Sequence, residues 1–227
     1  MRRLLLGCTV VVLAAIGQAA VAANIQFDFV SEPAGASAPA AYIEFNGGPT
    51  RSITFPDAGS GYDFVITRAD TSGLVSLKGN IGGTFTVGAI TTAGILEIAP
   101  VTGAGTFSIT DPIGKVLSAS VAWNDVFVVA GSQGGLNTGN TPNLTGWTYD
   151  GSYAPLLEIK NSVDASANIS FQFNPSKKLV QLMADGALNK TTYSGSFSAV
   201  PEPSTFVLMA GAALGLLAVG RLRRKTA

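Results

Sequence analysis

Leu117-Ser118-Ala119-Ser120-Val121-Ala122-Trp123 alternates along its whole length. Leu117, Ala119, Val121 and Trp123 fall on one side, and Ser118, Ser120 and Ala122 on the other. Successive side chains of a strand point to opposite faces, so a period of two predicts a strand with one apolar face. The same rhythm recurs at Ile25/Phe27/Phe29, Ile53/Phe55, Tyr62/Phe64/Ile66, Phe85/Val87 and Phe107/Ile109. It returns at Ile169/Phe171/Phe173 and closes at Tyr193/Gly195/Phe197. Turn signals separate these runs, including Gly47-Gly48-Pro49, Gly82-Gly83, Asp111 to Gly114 and Asn174-Pro175-Ser176. No window of a dozen residues carries helical periodicity. The spacing predicts an all-β, antiparallel β-sandwich of about a dozen strands, jelly-roll-like. A β-solenoid is the alternative, but no repeat of fixed period supports it. Ser31 to Ala41 and Gly131 to Asn143 read as loops, the second long enough to be functional or mobile.

The two ends of the chain differ from this body. At the front, Arg2 and Arg3 precede an apolar run from Leu4 to Ile16, and Ala20-Val21-Ala22 supplies a small-x-small cleavage site. Residues 1–23 therefore predict an export signal peptide. At the back, Val200-Pro201-Glu202-Pro203-Ser204 leads into an uncharged stretch from Phe206 to Gly220, then Arg221, Arg223, Arg224 and Lys225. Fifteen residues make a helix of about 22 Å, short of a hydrocarbon core of about 30 Å, so the flanking arginines must snorkel. This predicts a single transmembrane helix, its basic anchor in the cytoplasm and the body outside. The domain plan is thus 1–23 signal peptide, 24–199 β-domain and 200–227 sorting segment.

Pro201, Glu202 and Pro203, the short span and the arginine-rich end together resemble a PEP-CTERM sorting signal. That signal also goes by the name "ice-binding protein C-terminal" domain, which says nothing about ice in this chain. The resemblance covers about an eighth of the sequence, and the body resembles no known family. It implies an exported protein of a Gram-negative bacterium, with an exosortase as partner. That enzyme, a membrane cysteine transpeptidase, would process the chain near the motif. The chain would hold the inner membrane transiently and then pass to the cell surface or extracellular matrix, a setting of biofilm and exopolysaccharide.

Composition limits what the body can do. Residues 24–199 hold 8 basic and 13 acidic side chains, a net charge of −5. Nucleic-acid partners need a basic footprint and are not expected. The chain has no histidine, and its one cysteine, Cys8, lies within the signal peptide. The usual His/Cys metal sites and Ser-His-Asp or Cys-His nucleophiles are therefore excluded. No cofactor, no metal and no enzymatic activity are expected.

Four groups remain as candidates. Trp147, Tyr149 and Tyr153, near Asp150 and Asn143, offer rings and polar tips suited to a sugar, though alternation equally puts Trp147 and Tyr149 on the core face. Asp57, Asp63 and Asp70 sit among glycines but lack a calcium-loop spacing, and read as solvated turn residues. Glu97 and Glu158 each interrupt an apolar run and form the best pair for a carboxylate hydrolase; alternation makes both the exposed face of a strand. Three N-x-S/T triplets, at Asn143, Asn168 and Asn189, and the threonines at 84, 86, 91 and 92 read as chance features. The expected function is a non-enzymatic envelope or matrix protein, with a carbohydrate-binding module as the alternative and a hydrolase behind it.

Overall fold

A computed structural model describes residues 24–32, 41–56, 59, 61–129, 133–137 and 143–201. The expected signal peptide, the expected transmembrane helix and basic anchor beyond Pro201, and Asp57 lie outside the described residues. Fifteen strands run through the described residues, and they are antiparallel at every pairing. In chain order they are β1 (Ile25–Ser31), β2 (Ile43–Gly47), β3 (Ser52–Thr54), β4 (Phe64–Ala69), β5 (Lys78–Val87), β6 (Thr91–Ala93) and β7 (Leu96–Thr102). There follow β8 (Gly105–Thr110), β9 (Val116–Val121), β10 (Asp125–Val129), β11 (Gln133–Asn137) and β12 (Leu144–Thr148). A short helix α1 (Ala154–Lys160) leads to β13 (Ser162–Gln172), and a single turn α2 (Leu179–Leu182) precedes β14 (Ala187–Thr191) and β15 (Tyr193–Pro201). No helix among the described residues is long and apolar enough to cross a membrane.

The ladder runs β12-β9-β8-β5-β4-β1-β15-β13-β11-β10-β7-β6, and Leu144 paired with Ala165 links β12 back to β13. A branch β14-β2-β3 joins the far half of β5. Strand β5 changes neighbours along its length: Lys78–Gly83 pair with β8, Thr84–Thr86 with β3, and Thr86–Val87 with β7. The change falls at Gly83, whose φ is +122° and where a Cβ would stand 2.7 Å from Gly105 Cα. Only glycine fits that backbone and that approach.

Alternation sends the phenylalanines inward. Phe27, Phe29, Phe64, Phe107 and Phe197 are buried from four different strands. Phe64 lies over Phe107 with centroids 5.3 Å apart, and Phe107 over Phe197 at 6.0 Å. Each such ring contributes roughly 1.5–3 kcal/mol by burial. Every alternating pair or triplet named above keeps its Phe, Ile, Leu or Val residues in this core.

Three expectations about strands and loops fail. Gly131 to Asn143 is not simply a loop: Gln133–Asn137 form β11, between β10 and β13. Its glycines are demanded by close packing, since a Cβ at Gly134 would stand 2.5 Å from Phe127 O and from the Phe171 ring. Leu156-Leu157-Glu158-Ile159 is helical, so Glu158 is exposed on α1 and not on a strand. Pro155 presets the first turn, and Leu156 and Ile159, three apart, share its buried face. Glu97 does lie on a strand, but inward with Ala99 and Val101. The β6–β7 turn at Gly94-Ile95 takes Ile95 out of the ladder, which sets β7 in the opposite phase.

Candidate functional site

The last strand carries the first feature. β15 lies between β1 and β13 and is paired on both sides. Ala199 faces Ile25 on one side and Ala165 on the other. Val200 faces Asp164 and Pro201 faces Ser162, so the strand runs through the first two residues of the sorting motif. Proline donates no hydrogen bond, and a strand end is where a sheet tolerates it. The ladder slips between Ser162 and Asp164, leaving Val163 as an extra residue opposite the strand end. Val163 is 53% exposed and Val200 45%.

Four residues before Pro201 the strand is locked. Phe197 is buried, stacks on Phe27 with centroids 4.3 Å apart, and takes the edge of Trp147 at 6.1 Å. Pulling Phe197 out would forfeit roughly 1.5–3 kcal/mol of burial, whereas the exposed Val200 holds little. The front of the body meets the same place: Ser198 Oγ donates to Asn24 Oδ1 at 3.3 Å.

The aromatic trio forms a braced corner. Tyr149 is buried, and its hydroxyl donates to Asp111 Oδ2 at 2.6 Å. The Tyr153 N–H donates to that same hydroxyl at 3.2 Å, and the Tyr153 hydroxyl donates to Gly73 O at 2.8 Å. Asp111 Oδ1 accepts the N–H groups of Ile113 and Lys115 at 2.9 and 2.8 Å. Burial pushes the Asp111 carboxyl up, but the Tyr149 hydroxyl and the backbone donors together hold it below its usual range. Burial raises Tyr149, and its bond to Asp111 adds to that. Trp147 and Tyr149 line a depression of about 430 Å³ with Asp150 and Lys160, while Tyr153 lines a different one with Asp111 and Pro155. Asp150 pairs with Lys115 at 2.9 Å. Asn143 turns inward and clamps β13, accepting the Ala167 N–H at 2.8 Å and donating to Ala167 O at 3.2 Å.

A further concavity lies elsewhere. A trench of about 820 Å³ passes Gly134 of β11, which brings no side chain to it. Phe127, Phe171 and Tyr193 line it with rings, and Gln133, Ser170, Gln172 and Ser194 bring amides and hydroxyls, with no charged side chain in the wall. A Cβ at Gly135 would stand 3.2 Å from Phe127 Cε1, so glycine there makes room for the ring. The adjacent Gly134-Gly135 was the one sequence signal for this trench, and it reads equally as a loop.

The carboxylates divide by burial. Glu97 is 7% exposed and accepts the Val180 N–H of α2 at 3.2 Å. Neither it nor Glu158 enters the walls of the three cavities above. Asp63, expected in a solvated turn, is buried instead, and its Oδ2 accepts the Ile81 N–H at 2.8 Å. The Tyr193 hydroxyl donates to Asp63 O at 3.2 Å, and burial, then the Asp63 charge, pushes that phenol well above its usual range. Asp70 is exposed. Among the described residues no three Asp or Glu side chains gather as a metal site would need.

Comparison with known proteins yields one match. Residues 199–225 match the PEP-CTERM protein-sorting motif, so the match begins inside β15. No curated protein and no solved structure matches the chain. The chain carries a PEP-CTERM sorting signal, the mark of an exosortase-sorted substrate, on a body of mostly antiparallel sheet that remains unrecognised.

Proposed function

We propose that this is an exported, non-enzymatic protein of the Gram-negative cell envelope or extracellular matrix, delivered and trimmed by an exosortase. Its body is read as a jelly-roll-like sandwich held outside the cytoplasm by the C-terminal helix until processing. The observation that carries this is the direct passage of β15 into the matched motif. The chemistry of the body agrees: no histidine, no cysteine beyond the signal peptide, and Glu97 engaged by a backbone donor. Cell fractionation tests it. The natural chain should leave the inner membrane, and the variant with Pro201, Glu202 and Pro203 all changed to Ala should stay there. Equal release of both would sink the reading.

A second reading, binding of a neutral polysaccharide, draws on the trench. Aromatic rings and several amide and hydroxyl groups suit a sugar ring and its hydroxyls. This moves the candidate away from Trp147, Tyr149 and Tyr153, whose tyrosines are tied into the Asp111 corner. A glycan array compared between the natural protein and Phe127→Ala tests it, and equal binding by both would remove the trench from consideration.

A further inference from the structure

The sorting motif and the fold share residues. Val200 and Pro201 belong to the matched signal, and both are paired to β13 in the last strand of the body. An enzyme that binds its substrate extended could obtain those residues in two ways. It could peel β15 off the sheet, or take the motif from the point where the strand ends.

The geometry points to the second: we propose that the exosortase acts on a folded body and cuts after Pro201, so that β15 stays whole in the released protein. This rests on the exosortase reading above. Peeling would have to part β15 from two neighbours at once, since Ala199 is paired to both β1 and β13. Two residues further in it would meet Phe197, stacked on Phe27. The bulge at Val163 and the half-exposed Val200 instead make the end of the strand its least firmly held part. In the reaction, an amide bond following Pro201 or a later motif residue breaks. Its acyl carbon passes to the enzyme's cysteine sulfur, and the leaving nitrogen takes a proton and departs with the tail. Water or an amine acceptor then releases the body from the thioester.

The consequence is a ruler built from the fold: the body defines the earliest bond that can be cut. Intact mass measurement of the protein exported by exosortase-containing cells reads the new C-terminus. The expected last residue is Pro201 or one beyond it. An end at Val200 or earlier overturns the inference and leaves exosortase sorting standing; an uncut tail overturns both. A second arm locks the strand. Ser166 and Ser198 are register partners across β13 and β15, and Cα atoms so placed lie within reach of a disulfide. The Ser166→Cys/Ser198→Cys chain, oxidised on export, should be trimmed within about twofold of the natural chain. A loss of roughly tenfold or more, absent from either single variant, would show that β15 must open and would overturn the proposal.

Discussion

Phe27 and Phe197 stack face to face across β1 and β15, with ring centroids 4.3 Å apart and planes 11° from parallel. The pair joins the first strand of the described body to the last. Ile25 pairs with Ala199 just beyond it, so both ends of the body leave from one place. The start of β1 and the end of β15 are therefore neighbours in the sheet.

Phe197→Ala should lower stability by about 3–5 kcal/mol, as expected for removing a buried aromatic ring. Val200→Ala, at a half-exposed position, should change it by less than about 0.5 kcal/mol. Urea denaturation of the exported protein checks both. Equal effects would mean that Phe197 is not the lock at the end of β15.

Gly134→Ala should cost about 1–3 kcal/mol, because the added carbon meets Phe127 O and the Phe171 ring at 2.5 Å and the backbone oxygen cannot move aside. Gly82→Ala should stay within about 0.5 kcal/mol, since nothing lies within 4 Å of its added carbon. Thermal unfolding midpoints of the two variants give the comparison.

Two carboxylates should act oppositely with pH. Asp111 is held below its ordinary value of 3.8 in the folded chain, so its contribution is present above that value and is lost as pH falls through the folded one. Asp125 is raised by burial, with Oδ1 lacking a hydrogen-bond partner, so its contribution is present below 3.8 and is lost as pH rises through the folded value. Asp111→Asn should therefore weaken the protein at neutral pH, with the deficit closing in acid. Asp125→Asn should gain on the natural chain as pH rises. Urea midpoints from about pH 2 to 7 read both slopes, and parallel curves would contradict them.

The strands were legible where one face met the core and the other met water. Leu117, Ala119, Val121 and Trp123 are buried as their alternation predicts. The sequence misleads where a residue's role depends on a distant partner. Gly134 and Gly135 look like a loop because the rings that exclude their side chains, Phe127 and Phe171, come from other strands. Glu97 looks exposed because its partner, the Val180 N–H, lies 83 residues away. Leu156 and Ile159 fit a short helix, but one of seven residues is too brief for its period to stand out. In the candidate site, the sorting motif was legible as a linear signal. Its overlap with β15 was not, because strand pairing is set by β1 and β13.

The central claim is that an exosortase handles this chain. Mass spectrometry of the C-terminus in otherwise identical cells with and without the enzyme tests it most directly. The account predicts that the protein from enzyme-containing cells lacks Arg221 to Ala227 and that the protein from enzyme-free cells retains them. The same intact tail in both would contradict it.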